Sequence, residues 1–341
     1  DFIDFYGAHF SVQSDLDFTI ISLSCLQKHF STMVDFMCGL VLHPAYRDVD
    51  LEKAKVFLNS QLMHQLAEPD YVSYREFTSL IYGPETVYGY NTTPEKIQAL
   101  SRDDLIRYHQ ENYCADYLSA FYCGSLDPSA LTTIRSCLEQ FPKAPFAFEV
   151  HHHLPVPSPQ HLHIPIHHSA QTSLKMGIRT FPRRHSDFFG LYLVNTILGD
   201  YFGSRLMKKI REDQGLTYDI HSNLDAQVHD GCFYISAELN PDQLQEAIDL
   251  IRDELVLIRT KLVPEEELEM VRNFLCGNML RLMDGPFQSI SFIKILISEY
   301  GSPLAFQQLK TATLETTAEQ LRILAQRYLD PEKMILVTAG A

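Results

Sequence analysis

Arg211 and Tyr218 are the residues of this chain whose types and spacing could do chemistry. They lie seven positions apart, and between them a charged amphipathic helix is predicted to stop at Gly215 and lead into a strand. A guanidinium and a phenol both donate hydrogen bonds, so the pair could hold a peptide carbonyl or an oxyanion from fixed positions. A structural interpretation is also open, in which Arg211 faces the helix dipole and Tyr218 is a half-buried strand residue.

Histidines and cysteines predict no metal site of their own. His185 and His221 are isolated, and neither H-x-x-E-H nor H-E-x-x-H occurs in the sequence. A histidine cluster lies in an irregular Pro-rich segment and lacks the helical i, i+4 placement that directs two ligands toward one ion, so we interpret it as a solvated linker entering a strand. The cluster consists of His151, His152, His153, His161, His163, His167 and His168.

An internal repeat supplies the elements that must position the Arg/Tyr pair. Two alternating segments follow Gly7 and two follow Gly215, and each pair predicts antiparallel strands. Both copies end with a helix that begins at a hydroxyl cap, Ser101 or Thr317, and runs into an apolar strand. These strands end at Cys123-Gly124 and Ala339-Gly340. Between the hairpin and the last helix, each copy has two amphipathic helices, at 29–42 and 51–62 in the first copy and at 241–261 and 268–279 in the second.

The repeat predicts an α+β fold with two tandem homologous domains, each a mainly antiparallel sheet backed by helices. We expect an N-terminal domain at 1–142, a linker at 143–160, and a C-terminal domain with the Arg/Tyr pair at 161–341.

The two copies differ in what precedes their first glycine. The second copy has strand-forming sequence at 161–180 and a helix at 187–211 before Gly215, whereas only six residues precede Gly7. We therefore expect the first domain to lack its N-terminal strand and helix.

Composition restricts the partners and the compartment. The formal net charge of −15 argues against nucleic acid or an anionic membrane as the main partner. No apolar run approaches the length of a transmembrane helix. The 7 cysteines are scattered without a C-x-x-C pair, which indicates small core residues in a reducing compartment such as the cytoplasm.

The segments Gln171–Gly177 and Leu198–Tyr218 resemble the pitrilysin/insulinase family of zinc peptidases, which includes mitochondrial processing peptidase. The similarity covers nearly the whole chain. The sequences of these segments look closest to those of bacterial two-domain members of the family. The resemblance implies that Arg211 and Tyr218 are the Arg and Tyr with which the second domain of this family binds substrate opposite the zinc.

The zinc half of the family pattern is degenerate in this chain. By the register of the resemblance, Gln61 stands where the distal glutamate ligand is expected, and Ala54 stands where a glutamate supports the ligands. Glu52 aligns with a residue outside the metal shell, and the H-x-x-E-H helix is expected before Asp1. A neutral carboxamide removes a negative charge from the ligands of Zn²⁺, so this chain is expected to bind zinc badly.

The resemblance therefore implies a zinc-free subunit that contributes Arg211 and Tyr218 to a composite peptidase clamshell. The partner would be a zinc-bearing homologue in a homodimer or heterodimer, and peptide substrate would bind as an added strand on a sheet edge. Two alternatives stay open. One is a self-sufficient zinc endopeptidase with its H-x-x-E-H motif in the missing N-terminal segment, and the other is a non-catalytic scaffold subunit like the core subunits of the respiratory bc1 complex.

Overall fold

A computed structural model of the chain describes residues 1–125, 127–144, 158–167 and 169–341. The chain divides into two compact units. The first contains Asp1–Leu62 and Thr92–His151, and the second contains Met63–Asn91 and His152–Ala341.

The strands form two sheets. In the first unit β1 and β2 are an antiparallel hairpin. In the second unit the strand order is β3-β7-β4-β6-β5, and only the β3–β7 pair is parallel among the pairs that the structure describes. The strands are β1 His9–Ser14, β2 Thr19–Ser24, β3 His161–Pro165, β4 Thr172–Arg179, β5 Thr217–Ala226, β6 Gly231–Leu239 and β7 Ile335–Gly340.

Both units also contain helices. Thr317 and Ser101 are the hydroxyl caps expected before their helices, and in the structure each forms a capping box. A π-helix, Met207–Asp213, precedes β5. The α-helices are α1 Phe2–Phe5, α2 Phe30–Leu42, α3 Asp48–Gln65, α4 Pro69–Tyr82, α5 Pro94–Ala99, α6 Arg102–Asn112, α7 Pro128–Leu138, α8 Phe188–Leu198, α9 Leu244–Thr260, α10 Glu265–Leu282, α11 Pro286–Ser298, α12 Ala305–Glu315 and α13 Ala318–Tyr328.

The five-stranded sheet is covered on both faces. Along β7, Leu336 belongs to the main core with α8, α9 and α13, whereas Ile335 and Val337 belong to a second core with α4. Strand side chains alternate between faces, so two cores on one strand require a cover on each side. This explains why β7 is buried along its whole length.

Residues 63–91 group with the second unit, although the sequence places them in the N-terminal domain at 1–142. The physical reason is α4, whose apolar residues Phe77 and Ile81 are almost fully buried against the five-stranded sheet. The first unit keeps a smaller core, in which α2 and α7 bury Val34, Cys38 and Cys137. Most of the predicted linker at 143–160 lies outside the described residues.

The fold class is confirmed: the chain is α+β, with largely antiparallel sheets and the predicted hairpins after Gly7 and Gly215. One predicted strand is wrong. Leu118–Gly124 forms no strand, whereas its counterpart β7 is hydrogen-bonded between β3 and β4. A strand needs neighbours for its backbone groups, and no described strand of the first unit offers them.

The predicted helix 187–211 is also corrected, because it is two helices separated by a bend. α8 ends at Leu198, and Gly199 follows in close contact with β5, where its carbonyl accepts a hydrogen bond from the Ser222 N–H at 3.2 Å. A Cβ at Gly199 would lie 2.5 Å from the same nitrogen, so only glycine fits this approach. The bend turns the chain before the π-helix begins.

In the described parts of the chain, no helix is both long and apolar enough to cross a membrane.

Candidate functional site

Two elements joined by a tight turn position Arg211 and Tyr218. Arg211 lies on the π-helix, and Tyr218 is the second residue of β5. The chain leaves the helix through Gly215, whose φ of +64° is the left-handed conformation that favours glycine at a helix end. Ile210 and Leu216 are buried on either side of this turn, and the Leu216 N–H donates to the Ile210 carbonyl at 3.1 Å. The backbone between the two functional side chains is therefore anchored in the core.

The structure brings Arg211 and Tyr218 together and adds a third residue, Phe202. The guanidinium carbon of Arg211 lies 4.9 Å from the Tyr218 ring centroid and 5.0 Å from the Phe202 ring centroid. Distances below about 6 Å are those of cation–π contacts. We call these three residues the arginine sandwich.

The arginine sandwich is open to solvent. Tyr218 is 84% exposed and Phe202 is 64% exposed. Among the residues that the structure describes, no hydrogen bond or ion pair occupies the Arg211 guanidinium or the Tyr218 hydroxyl. Both groups can therefore donate hydrogen bonds to an incoming carbonyl or carboxylate.

Sequence reasoning missed Phe202, which lies in the bend after α8. Its neighbours hold the bend in place: the Tyr201 ring packs on Phe274 with centroids 4.9 Å apart, and the Ser204 N–H donates to the Tyr201 carbonyl at 3.0 Å. The signal that the sequence offered for Phe202 was an aromatic residue between Gly199 and Gly203. Its contact with Arg211 depends on the direction in which the bend turns the chain.

Ion pairing and burial stabilise the surroundings of the site. Arg205, at the start of the turn that becomes the π-helix, makes a bidentate pair with Glu267 on α10, with both N–O distances 2.7 Å. Asp200 lies in the bend, where burial raises the pKa of its carboxyl and a hydrogen bond from Thr196 opposes that rise. The Arg205–Glu267 pair ties the start of the π-helix to α10.

The sheet edge beside the site is partly occupied. β5 is an edge strand, which is the geometry that strand addition requires. However, the Ser222 N–H already donates to the Gly199 carbonyl, and the Ser222 hydroxyl donates to the Asn195 carbonyl at 3.2 Å. An added peptide strand would have to end before Ser222, near Tyr218.

The two positions that the resemblance assigned to a degenerate zinc site lie on α3 in the first unit. Ala54 and Gln61 are both exposed, and Ala54 lines a cleft of about 450 Å³ whose walls are largely apolar. The Glu52 carboxylate is paired with the buried Lys55 amine at 2.9 Å, so it is already neutralised within the helix. A methyl group, a carboxamide and a paired carboxylate do not fit Zn²⁺.

Four of the histidines that the sequence singled out have protein contacts, and His167 is exposed. His161 and His163 reach the Thr338 hydroxyl at 3.5 and 3.0 Å, His185 stacks on Phe181, and the His221 Nδ1 lies 2.9 Å from an Asp219 oxygen. No group of three or more His, Cys, Asp or Glu side chains suited to a metal ion occurs in the described ranges. His151, His152, His153 and His168 lie outside those ranges.

Comparison with known proteins places these features in a family. Residues 99–275 match the family model described as "Peptidase M16 inactive domain". An uncharacterized zinc protease of Mycobacterium leprae is 22% identical over 337 residues, which cover 96% of this chain and 75% of that protein. The uncharacterized zinc protease YmxG of Bacillus subtilis is 20% identical over 292 residues, which cover 84% of this chain and 70% of that protein.

Solved structures share the fold at low identity. A peptidase M16 inactive domain from Pseudomonas fluorescens superposes with a TM-score of 0.88 at 22% identity, covering 99% of this chain and 82% of that one. A protease from Helicobacter pylori gives a TM-score of 0.90 at 12% identity, covering 100% and 84%. The resemblance to pitrilysin-type peptidases is thus confirmed, and the chain belongs to the peptidase M16 family.

Proposed function

We propose that this chain is the zinc-free, substrate-holding subunit of a composite M16 peptidase. The observation that carries the proposal is the arginine sandwich, in which the half-buried Arg211 and the exposed Tyr218 are held together and their donors have no protein acceptor among the described residues. A buried or ion-paired arginine would favour the purely structural interpretation. Here the guanidinium and the phenol are available to hold the carbonyl of a peptide.

The chemistry of the pair suits a reaction at a carbonyl. The guanidinium supplies a fixed positive charge and the phenol supplies a neutral donor, so both interactions strengthen as negative charge develops on the oxygen. The peptide would lie along the first residues of β5, since the Ser222 N–H is already used. Main-chain recognition of this kind gives affinity with little demand on sequence.

Zinc would come from a homologous partner. Gln61 and Ala54 replace the acidic residues that the family pattern expects, so two copies of this chain would offer two similarly poor metal sites. The proposal therefore favours a heterodimer with a zinc-bearing homologue over a homodimer. It locates the protein in the bacterial cytoplasm, because the relatives named above are bacterial and the seven cysteines are free thiols.

The test is peptide cleavage in a mixture of this chain and a zinc-bearing homologue from the same organism, with dye-labelled β-casein as substrate. We expect cleavage in the mixture and none with this chain alone. Arg211→Ala should lower the rate by on the order of 10²-fold, as loss of an oxyanion donor does. Tyr218→Phe should lower it by about tenfold, the value of one hydrogen bond.

Matched controls separate the site from general effects of removing an exposed charge or an exposed hydroxyl. Arg252→Ala on α9 removes another exposed arginine, and Tyr108→Phe on α6 removes another exposed phenol. Neither should change the rate. Unaltered cleavage in the Arg211→Ala and Tyr218→Phe variants would favour the scaffold alternative, and stoichiometric zinc with cleavage by this chain alone would favour the self-sufficient peptidase.

A further inference from the structure

Phe202 is an exposed aromatic residue whose position folding alone does not explain. Phe202 as a residue is 64% exposed, whereas the residues that anchor the bend, Tyr201 and Ser204, carry the local packing and hydrogen bonding. Exposed phenylalanine gains little from burial, so its contribution must come from what it contacts. That contact is the Arg211 guanidinium at 5.0 Å.

The two rings of the arginine sandwich flank the guanidinium. Phe202 and Tyr218 each lie within about 5 Å of the same carbon, yet no ring contact joins them among the described residues. The rings therefore face the arginine and not each other. The guanidinium is planar and carries five N–H groups in that plane, and a contact through the π face of a ring uses none of them as a hydrogen-bond donor to a protein acceptor, so they stay available to a ligand.

We propose that Phe202 is a positioning residue that fixes the plane of the Arg211 guanidinium. Without it the long arginine side chain would sample several rotamers, and ordering such a side chain on binding weakens affinity. With it, an acceptor such as a peptide carbonyl meets the N–H edge in one preset orientation. This inference rests on the proposed function for the role of Arg211, but the contact itself can be tested separately.

The first experiment observes the contact without any ligand. Selective ¹⁵N labelling of arginine gives an Nε–H resonance for Arg211, assigned by its disappearance in Arg211→Lys. Aromatic rings displace the resonance of a stacked guanidinium, so we expect a displaced signal in the native chain and in Phe202→Tyr. In Phe202→Leu, which keeps apolar bulk but removes the ring, part of the displacement should be lost.

Phe287→Leu is the control for that measurement. Phe287 is 70% exposed on α11 and makes no cation–π contact with an arginine among the described residues, so this variant should leave the Arg211 resonance in place. Thermal unfolding of each variant shows that it is folded. An Arg211 signal that is identical in the native chain and in Phe202→Leu would overturn the inference.

The second experiment measures the effect on substrate. In the mixed cleavage assay with dye-labelled β-casein, we expect Phe202→Leu to lower kcat/KM by about two- to fivefold, the range of one exposed cation–π contact. Phe202→Tyr should restore it. In the Arg211→Ala background, Phe202→Leu should have no further effect, because a positioning residue acts through the group that it positions.

The outcomes distinguish the two proposals. If Arg211→Ala and Tyr218→Phe leave cleavage unchanged, the proposed function fails, while the resonance of Arg211 still decides whether Phe202 orders it. If Arg211→Ala lowers cleavage but Phe202→Leu does not, the positioning role of Phe202 is refuted and the proposed function stands.

Discussion

The Lys175 amine on β4 donates a hydrogen bond to the Asp70 carboxylate on α4 and forms a salt bridge with it, inside the unit that carries the five-stranded sheet. The lysine is 2% exposed, and its Nζ also donates to the Ser236 hydroxyl. Burial lowers the pKa of the Lys175 amine, and the Asp70 carboxylate opposes that change. This pair ties α4, a segment that the sequence assigned to the other domain, to the sheet that it covers.

The first prediction concerns this pair. Asp70→Ala leaves a buried amine without its acceptor, and the expected loss in unfolding free energy is about 3 kcal/mol, the lower end of the range for breaking buried pairs. The lower end applies because the Asp70 carboxyl is half exposed and Lys175 can release its proton. Urea unfolding measures the change. Lys175→Met added to Asp70→Ala should recover most of the stability, and Asp253→Ala, at an exposed position of α9, should have little effect.

A pH dependence is expected from Asp225. Burial raises the pKa of the Asp225 carboxyl, while a hydrogen bond from the Tyr74 hydroxyl, 3.0 Å away, lowers it in part. Between the unfolded pKa near 4 and the raised folded pKa, the folded chain binds more protons than the unfolded chain. The contribution of Asp225 to stability is therefore complete at low pH and is lost as pH rises through that window.

The measurement is the unfolding free energy of the native chain minus that of Asp225→Asn, from about pH 4 to 7. The difference isolates Asp225 from other carboxyls, some of which titrate in the opposite sense. It should become less favourable to the native chain as pH rises. A difference that stays flat would show that Asp225 has the same proton affinity in both states.

Two glycines give opposite predictions for the same substitution. Gly199→Ala places a Cβ 2.5 Å from the Ser222 nitrogen and should destabilise the chain by about 1–3 kcal/mol, because the backbone must shift. Gly277→Ala, inside α10 with nothing within 4 Å, should stabilise it by about 0.5–1 kcal/mol through helix propensity. Thermal or urea unfolding tests both. Equal effects would contradict the close approach of α8 to β5.

The absence of tryptophan allows a direct probe of the arginine sandwich. Tyr218→Trp introduces a single indole beside Arg211, and tryptophan is the strongest cation–π partner. Acrylamide quenching should be weaker in Tyr218→Trp than in the same variant combined with Arg211→Ala, because the guanidinium covers one face of the ring. Quenching that is the same in both proteins would mean that Arg211 does not contact this position in solution.

Local sequence was sufficient for the elements whose causes are local. The hairpins after Gly7 and Gly215 follow from alternation of apolar residues, and the helices after Ser101 and Thr317 follow from their capping boxes. The stop at Gly215 follows from the left-handed conformation that glycine adopts there. These signals also sufficed to predict that Arg211 and Tyr218 sit on opposite sides of one turn.

Tertiary structure decided everything that depends on distant neighbours. Leu118–Gly124 has the apolar composition of a strand but no described partner strands, so it forms none. Residues 63–91 join the second unit because α4 buries its apolar face on a sheet formed far along the chain. Phe202 meets Arg211 because Gly199 turns the chain after α8. Sequence determined which side chains could act, and long-range packing decided which of them meet, since such contacts are set by the whole fold and not by local propensity.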